Sequence, residues 1–225
     1  MDATRLRLTF GKVPGDVAED FYPCKGQLSE ASLPDEVFNV DDLPQTVRIP
    51  RRHAFRYLRV QVIDTSPKYA ARFENIQLHA VTSAQRDAPT LAADLPEALR
   101  QIDTVILSTL RDCMQTVFED GPRRDQGVWI GDMRLQAMTN YVSFRNYDLV
   151  KRCLYLFAAL SREDGLLAAC VFERPRPIRG GDYIMDYAVL YGAALLDYVR
   201  ATGDTSTGRD LWPVVRRQLE ISDKA

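Results

Sequence analysis

Fourteen consecutive residues, Glu119-Asp120-Gly121-Pro122-Arg123-Arg124-Asp125-Gln126-Gly127-Val128-Trp129-Ile130-Gly131-Asp132, bring together four carboxylates, two arginines and a tryptophan. Gly and Pro inside the stretch force a turn, so it reads as a loop between two helices. Such a loop at the end of a helical hairpin can aim several carboxylates into one cavity. Ionised carboxylates accept hydrogen bonds from hydroxyls, and a protonated one acts as general acid on a glycosidic oxygen. Trp129 offers a flat apolar face to the C–H side of a sugar ring, and Arg124 can hold a carboxylate or hydroxyl. An inert reading fits the same residues, with Asp120 and Asp132 as helix caps and Arg123 and Arg124 as surface partners of Glu119 and Asp125. Residue types alone leave both open.

The elements that must carry this loop change character along the chain. Leu6 to Phe10, Leu58 to Val62 and Ile76 to Ala80 alternate apolar and polar side chains, which predicts half-buried antiparallel strands, with Val47-Arg48-Ile49 as a shorter candidate. The stretch from Gly11 to Pro44 reads as turns and loops, and Thr82 to Pro96 as a linker. After the linker the period changes to three or four residues. Asp94 and Glu97 fit a capped start for a helix through Leu99, Ile102, Val105, Ile106, Leu110, Cys113 and Val117. Further helices are predicted around Met133 to Phe144, Leu149 to Leu160, Tyr183 to Arg200 and Leu211 to Ile221, with Trp212-Pro213 as a helix start bearing a packed ring. Short connectors with no strand between them predict an all-α second region of antiparallel hairpins.

Composition sets the outer bounds. A chain of 225 residues with 46% apolar residues can bury roughly 70% of its unfolded surface. Lys and Arg number 29 against 31 Asp and Glu, giving a net charge of -2 and no basic excess for a phosphate backbone, so nucleic acid is not an expected partner. No apolar run reaches the roughly 20 residues that span a bilayer, and Met1 to Arg5 lack the layout of a secretory signal, so the expectation is a cytoplasmic protein without a membrane partner. Cys24, Cys113, Cys153 and Cys170 are too scattered for a zinc site or a disulfide framework and read as buried thiols. His53 and His79 stand far from any acidic pair, so neither a metal nor a catalytic role is assigned to them.

The acidic loop resembles the signature of the α-L-rhamnosidase family of glycoside hydrolases (family 78), in which Asp-Cys-Pro leads to Arg and an acidic residue and then to Trp-x-Gly-Asp. Here Asp120-Gly121-Pro122, Arg124-Asp125 and Trp129-Ile130-Gly131-Asp132 occupy those places. The segment from Pro50 to Leu58 is similar to the final strand of the family's β-domain, and Thr202-Gly203-Asp204 to a turn after a barrel helix, so the resemblance runs from about Thr46 onward. Two departures stand out. Asp125 replaces the usual Glu, moving the proton by about 1 Å, and Gly121 replaces the usual Cys. The loop is also one residue shorter, which suggests a subfamily variant.

The resemblance implies an α+β multidomain chain, with a partial β-sandwich over residues 1–84 and the first hairpins of an (α/α)6 six-hairpin barrel over 85–225. It implies inverting hydrolysis of terminal α-L-rhamnosides, with Asp125 as general acid, Asp120, Arg124, Trp129 and Asp132 as the sugar-binding wall, and no metal or organic cofactor. The family's general base is a Glu on a later hairpin, so the chain is expected to be a fragment whose partners are a rhamnoside and the C-terminal part of the same enzyme. Asp182 and Asp186 are weighed as sugar ligands against helix caps, and Asp186 is retained as a candidate; Glu173 is weighed as cavity lining. The series Tyr183, Tyr187, Tyr191 and Tyr198 falls at helical spacing and is read as core. A non-catalytic sugar-binding or interaction remnant is the alternative, and an unrelated α-toroid with an inert acidic loop a third.

Overall fold

A computed structural model of the chain describes residues 4–24, 33–68 and 70–224. The chain divides into two compact units, residues 1–79 with 122–125, and residues 80–121 with 126–225.

In the first unit β1 (Thr4–Gly11) lies between β2 (Asp35–Val40) and β3 (Tyr57–Asp64), antiparallel to both. Alternation sends Leu6, Leu8 and Phe10 to one buried face, where the register sets them opposite Val62, Val60 and Leu58. A short helix, α1 (Pro14–Ala18), opens with Pro at its first position, and Asp16 Oδ2 accepts from the Lys12 and Val13 amides at 2.8 and 3.2 Å. His53 stacks on Phe10 with centroids 3.7 Å apart. Burial, reinforced by the charges of Arg51 and Arg52, pushes its pKa down to about 4. The imidazole is therefore neutral at pH 7, and its 3.4 Å approach to Glu36 is not then an ion pair.

Several expectations are corrected here. Val47 to Ile49 and Ile76 to Ala80 form no strand, and Ile76 and Leu78 stand exposed, because alternation makes a strand only where a neighbour completes the ladder. Conversely, β2 runs through the stretch read as turns and loops, completing the second edge of β1. Residues 25–32 of that stretch lie outside the described residues. Among the described residues the β part of this unit is one three-stranded sheet.

The second unit is built on α2 (Glu97–Cys113), α3 (Ile130–Val142), α4 (Tyr147–Ala159), α5 (Met185–Thr202) and α6 (Thr205–Ser222). Met133, Val150, Cys153, Leu154, Phe157, Tyr191 and Leu195 form the centre of its core. At one corner the Asp204 carboxylate caps α6 through the Thr207 amide and also accepts from Lys151 of α4 and Tyr198 of α5, both at 3.1 Å. These donors, led by the Ser206 and Thr207 hydroxyls, hold its pKa well below the usual carboxylate range.

This unit is not all-α. β4 (Val128–Trp129), β5 (Cys170–Phe172) and β6 (Ile178–Arg179) form a small antiparallel sheet in the order β4-β5-β6. Strands of two or three residues are too short to print a period on the sequence. The expected capping of α2 is absent: Pro96 holds the cap position, and Glu97 turns along the helix to Arg100 and Gln101. Helix α6 begins at Thr205 instead of near Trp212, leaving Pro213 inside the helix and the Trp212 ring exposed instead of packed. The stretch read as a linker is pinned at its start, where the Thr82 hydroxyl donates to Arg111 O, the Ser83 amide to Met114 O and Asn146 Nδ2 to Ser83 O. No helix among the described residues is long and apolar enough to cross a membrane.

Candidate functional site

The acidic loop has a closed neck. The Asp120 amide donates to Gly127 O and the Gln126 amide to Gly121 O, each at 3.0 Å. Gln126 takes a left-handed conformation, φ 57°, to close it, a conformation that costs about 1 kcal/mol outside glycine. At Gly127 a Cβ would lie 2.8 Å from the Phe172 ring, so only glycine lets the neck seat on β5. The turn beyond the neck, residues 122–125, is counted with the first unit. There Arg123 Nη2 lies 3.0 Å from Asp16 Oδ2, and Arg124 Nε lies 4.0 Å from Asp125 Oδ2. The Asp125 side chain is 21% exposed.

Past the neck the chain enters β4, where pairing with β5 fixes which way each side chain points. Val128 is fully buried, and Trp129, next along the strand, points to the other face. The Ile130 amide donates to Ala169 O, and α3 starts there without a side-chain cap. Asp132 falls in the first turn of α3, where the exposed amides of a helix N-terminus favour a negative charge. Asp120 and Asp132 are thus not the helix caps that the inert reading supposes.

Tyr187, near the start of α5, meets both groups. Its ring stands edge-on to Trp129, with centroids 6.5 Å apart and planes at 88°, and its hydroxyl donates to Asp132 Oδ2 at 3.4 Å. The ring passes so close to α3 that a Cβ on Gly131 would lie 2.7 Å from its Cζ. Burial, and then the charges of Asp132 and Asp120, raise the phenol pKa, so Tyr187 remains a donor across the physiological range. The first turns of α3 and α5, bearing Asp132 and Asp186, thus meet where the Tyr187 ring lies against Gly131.

The structure brings Trp129 and Asp132 together through Tyr187, with Asp120 acting on the same phenol. Asp186 is exposed in the first turn of α5 without a hydrogen bond to them. Arg124 and Asp125 sit side by side in the turn beyond the neck. Glu119 is buried, and Glu173 pairs with Arg152 of α4, which occupies the carboxylate weighed as cavity lining. Tyr187, read from the sequence as core, is the residue that joins Trp129 and Asp132. The tyrosine series divides: Tyr191 and Tyr198 are core, whereas Tyr183 is exposed and Tyr187 half-buried. A signal was available in Trp-Ile-Gly-Asp, whose glycine leaves room for a bulky neighbour. Among the described residues no group of three or more His, Cys, Asp or Glu is placed to hold a metal ion.

Comparison with known proteins gives a consistent picture. Residues 1–80 match the glycosyl hydrolase family 78 alpha-rhamnosidase N-terminal domain, and residues 95–225 match the bacterial alpha-L-rhamnosidase 6 hairpin glycosidase domain. A rhamnosidase from Klebsiella oxytoca, solved with rhamnose bound, is 43% identical with a TM-score of 0.88, matched over 98% of this chain and 43% of its own. This chain thus spans less than half the length of that relative. A family 78 rhamnosidase of Bacillus sp. GL1 shares the fold at 20% identity and a TM-score of 0.65, over 97% of this chain and 21% of its own. An alpha-L-rhamnosidase from Dictyoglomus thermophilum does so at 15% identity and a TM-score of 0.69, over 100% and 24%. No curated protein matches the chain.

Proposed function

The chain belongs to glycosyl hydrolase family 78, and from that premise we propose that it supplies the acid half of an inverting active site for terminal α-L-rhamnosides. The observation that carries the proposal is the Trp129–Tyr187–Asp132 arrangement, an aromatic ring and a carboxylate held together as a sugar-contacting wall would need. The rhamnose bound in the Klebsiella oxytoca relative supports a carbohydrate as the ligand. Asp125 is the proposed general acid, protonating the glycosidic oxygen. Asp120, Arg124, Trp129, Asp132 and Asp186 are the proposed sugar ligands, the carboxylates and Arg124 holding hydroxyls and Trp129 the C–H face.

Inversion needs a second carboxylate roughly 6.5–9.5 Å from the acid, to activate water on the opposite face of the sugar. We assign that base to a segment outside these 225 residues. The same segment would cover the exposed apolar faces of α2 and α3 and extend the hairpins towards an (α/α)6 barrel, with residues 1–84 forming part of a β-sandwich domain and 85–225 the start of the barrel.

The test is hydrolysis of an alkyl α-L-rhamnoside, whose poor leaving group needs the proton. It is run on this chain and on a chimera completed with the C-terminal part of the Klebsiella oxytoca enzyme. The chimera is expected to turn over and the chain alone is not. Asp125→Asn in the chimera is expected to lower the rate by about 10²- to 10⁴-fold. An unchanged rate removes Asp125 from the acid role, and proton spectra of the first-formed sugar report inversion or retention.

A further inference from the structure

We infer that Tyr187 is the positioning residue of the sugar-binding wall: its ring, seated over Gly131, fixes the Trp129 indole and the Asp132 carboxylate in a single arrangement. The inference rests on the proposal that Trp129 and Asp132 contact sugar, and adds the residue on which their geometry depends.

Each position of Trp129-Ile130-Gly131-Asp132 has a separate physical duty. Trp129 presents its ring to the edge of Tyr187. Ile130, fully buried, anchors the start of α3 in the core. Gly131 is the gap through which the Tyr187 ring passes, because a Cβ there would overlap it at 2.7 Å. Asp132 receives the phenolic hydrogen bond. Tyr187 belongs to α5, more than fifty residues away along the chain, so the wall exists only when the first turns of α3 and α5 are docked. An edge-to-face ring contact contributes about 0.5–1.5 kcal/mol beyond area burial, enough to favour one orientation of the indole. A ligand that must meet the ring and the carboxylate together then avoids the cost of ordering each on binding.

Trp129 and Trp212 are the two tryptophans of the chain, and Trp212 is exposed, so Trp212→Phe leaves Trp129 as the single indole reporter at little structural cost. In that background the emission maximum and acrylamide quenching of Trp129 are measured for Tyr187→Phe, Tyr187→Leu and Gly131→Ala, alongside calorimetric titration with rhamnose. Tyr187→Phe keeps the ring and loses the hydroxyl. Its expected result is unchanged quenching with rhamnose affinity about 5- to 10-fold weaker. Tyr187→Leu and Gly131→Ala displace the ring, and are expected to shift the emission to the red, raise quenching at least about twofold and weaken rhamnose further. If Leu at position 187 unfolds the unit, the Phe and Ala variants still read the hydroxyl and the ring separately. Quenching unchanged in both Tyr187→Leu and Gly131→Ala overturns the positioning role while leaving the sugar-binding proposal standing. No heat with rhamnose from the unsubstituted protein overturns the sugar-binding proposal, and the quenching series then decides independently whether Tyr187 positions the indole.

Discussion

His53 is enclosed against Phe10 with Arg51 and Arg52 nearby, so protonating it opposes folding. Above pH 6.5 the imidazole is neutral in the folded and unfolded chains alike, and it contributes no pH dependence. Between pH 6.5 and about 4 the unfolded chain takes up a proton that the folded one refuses, so stability falls as pH drops through this window and levels off below it. The loss is on the order of 1–3 kcal/mol. His53→Phe, which keeps a ring beside Phe10, is expected to flatten this part of the profile, as read by urea midpoints between pH 7 and 4; parallel profiles for the two proteins would refute it. Legibility at this scale depends on whether a residue type implies its surroundings. Trp129 and Asp132 drew attention through the Trp-Ile-Gly-Asp pattern of the family resemblance, since their residue types alone also fit an inert loop. Tyr187 did not, because Tyr187, Tyr191 and Tyr198 look alike on a helical repeat. Only the space left by Gly131, brought in from another helix, sets Tyr187 apart from its two buried neighbours.

Pro213 lies in the interior of α6, on an exposed position, where it has no amide to complete the helical ladder and its ring crowds the preceding turn. Pro213→Ala is therefore expected to raise stability by about 1–2 kcal/mol, after allowing for the greater freedom that Ala gives the unfolded chain. Denaturant titration checks this, and a destabilised variant would mean that the ring supplies packing the helix needs. α3, α4 and α5 announced themselves by apolar residues three or four apart, and their ends were misplaced by only a few residues. The start of α6 was missed by two turns because Trp-Pro looked like an opening, whereas the Asp204 cap at Thr202-Gly203-Asp204 is the real one. The sheet β4-β5-β6, which aims Trp129, left no trace because its strands are shorter than one cycle of any pattern that could reveal them.

Two apolar stripes remain exposed in the helical unit: Leu99, Ile102, Val105 and Ile106 along α2, and Leu135, Met138 and Val142 along α3. Sequence periodicity identified α2 as amphipathic but could not say what its apolar face meets, because that depends on chain packed against it. Exposed stripes of this kind favour association. The chain alone is expected to bind a hydrophobic dye and to sediment faster as concentration rises, and Val105→Lys with Val142→Lys should suppress both without lowering the unfolding midpoint. Sedimentation independent of concentration in the unsubstituted chain would contradict this. The acidic loop has a different consequence. Its neck is closed by main-chain bonds at Asp120–Gly127 and Gln126–Gly121, and neither bond uses a side chain of the four residues beyond it. An acid one methylene longer or shorter can therefore be exchanged at position 125 without taking away either bond at the base of the loop.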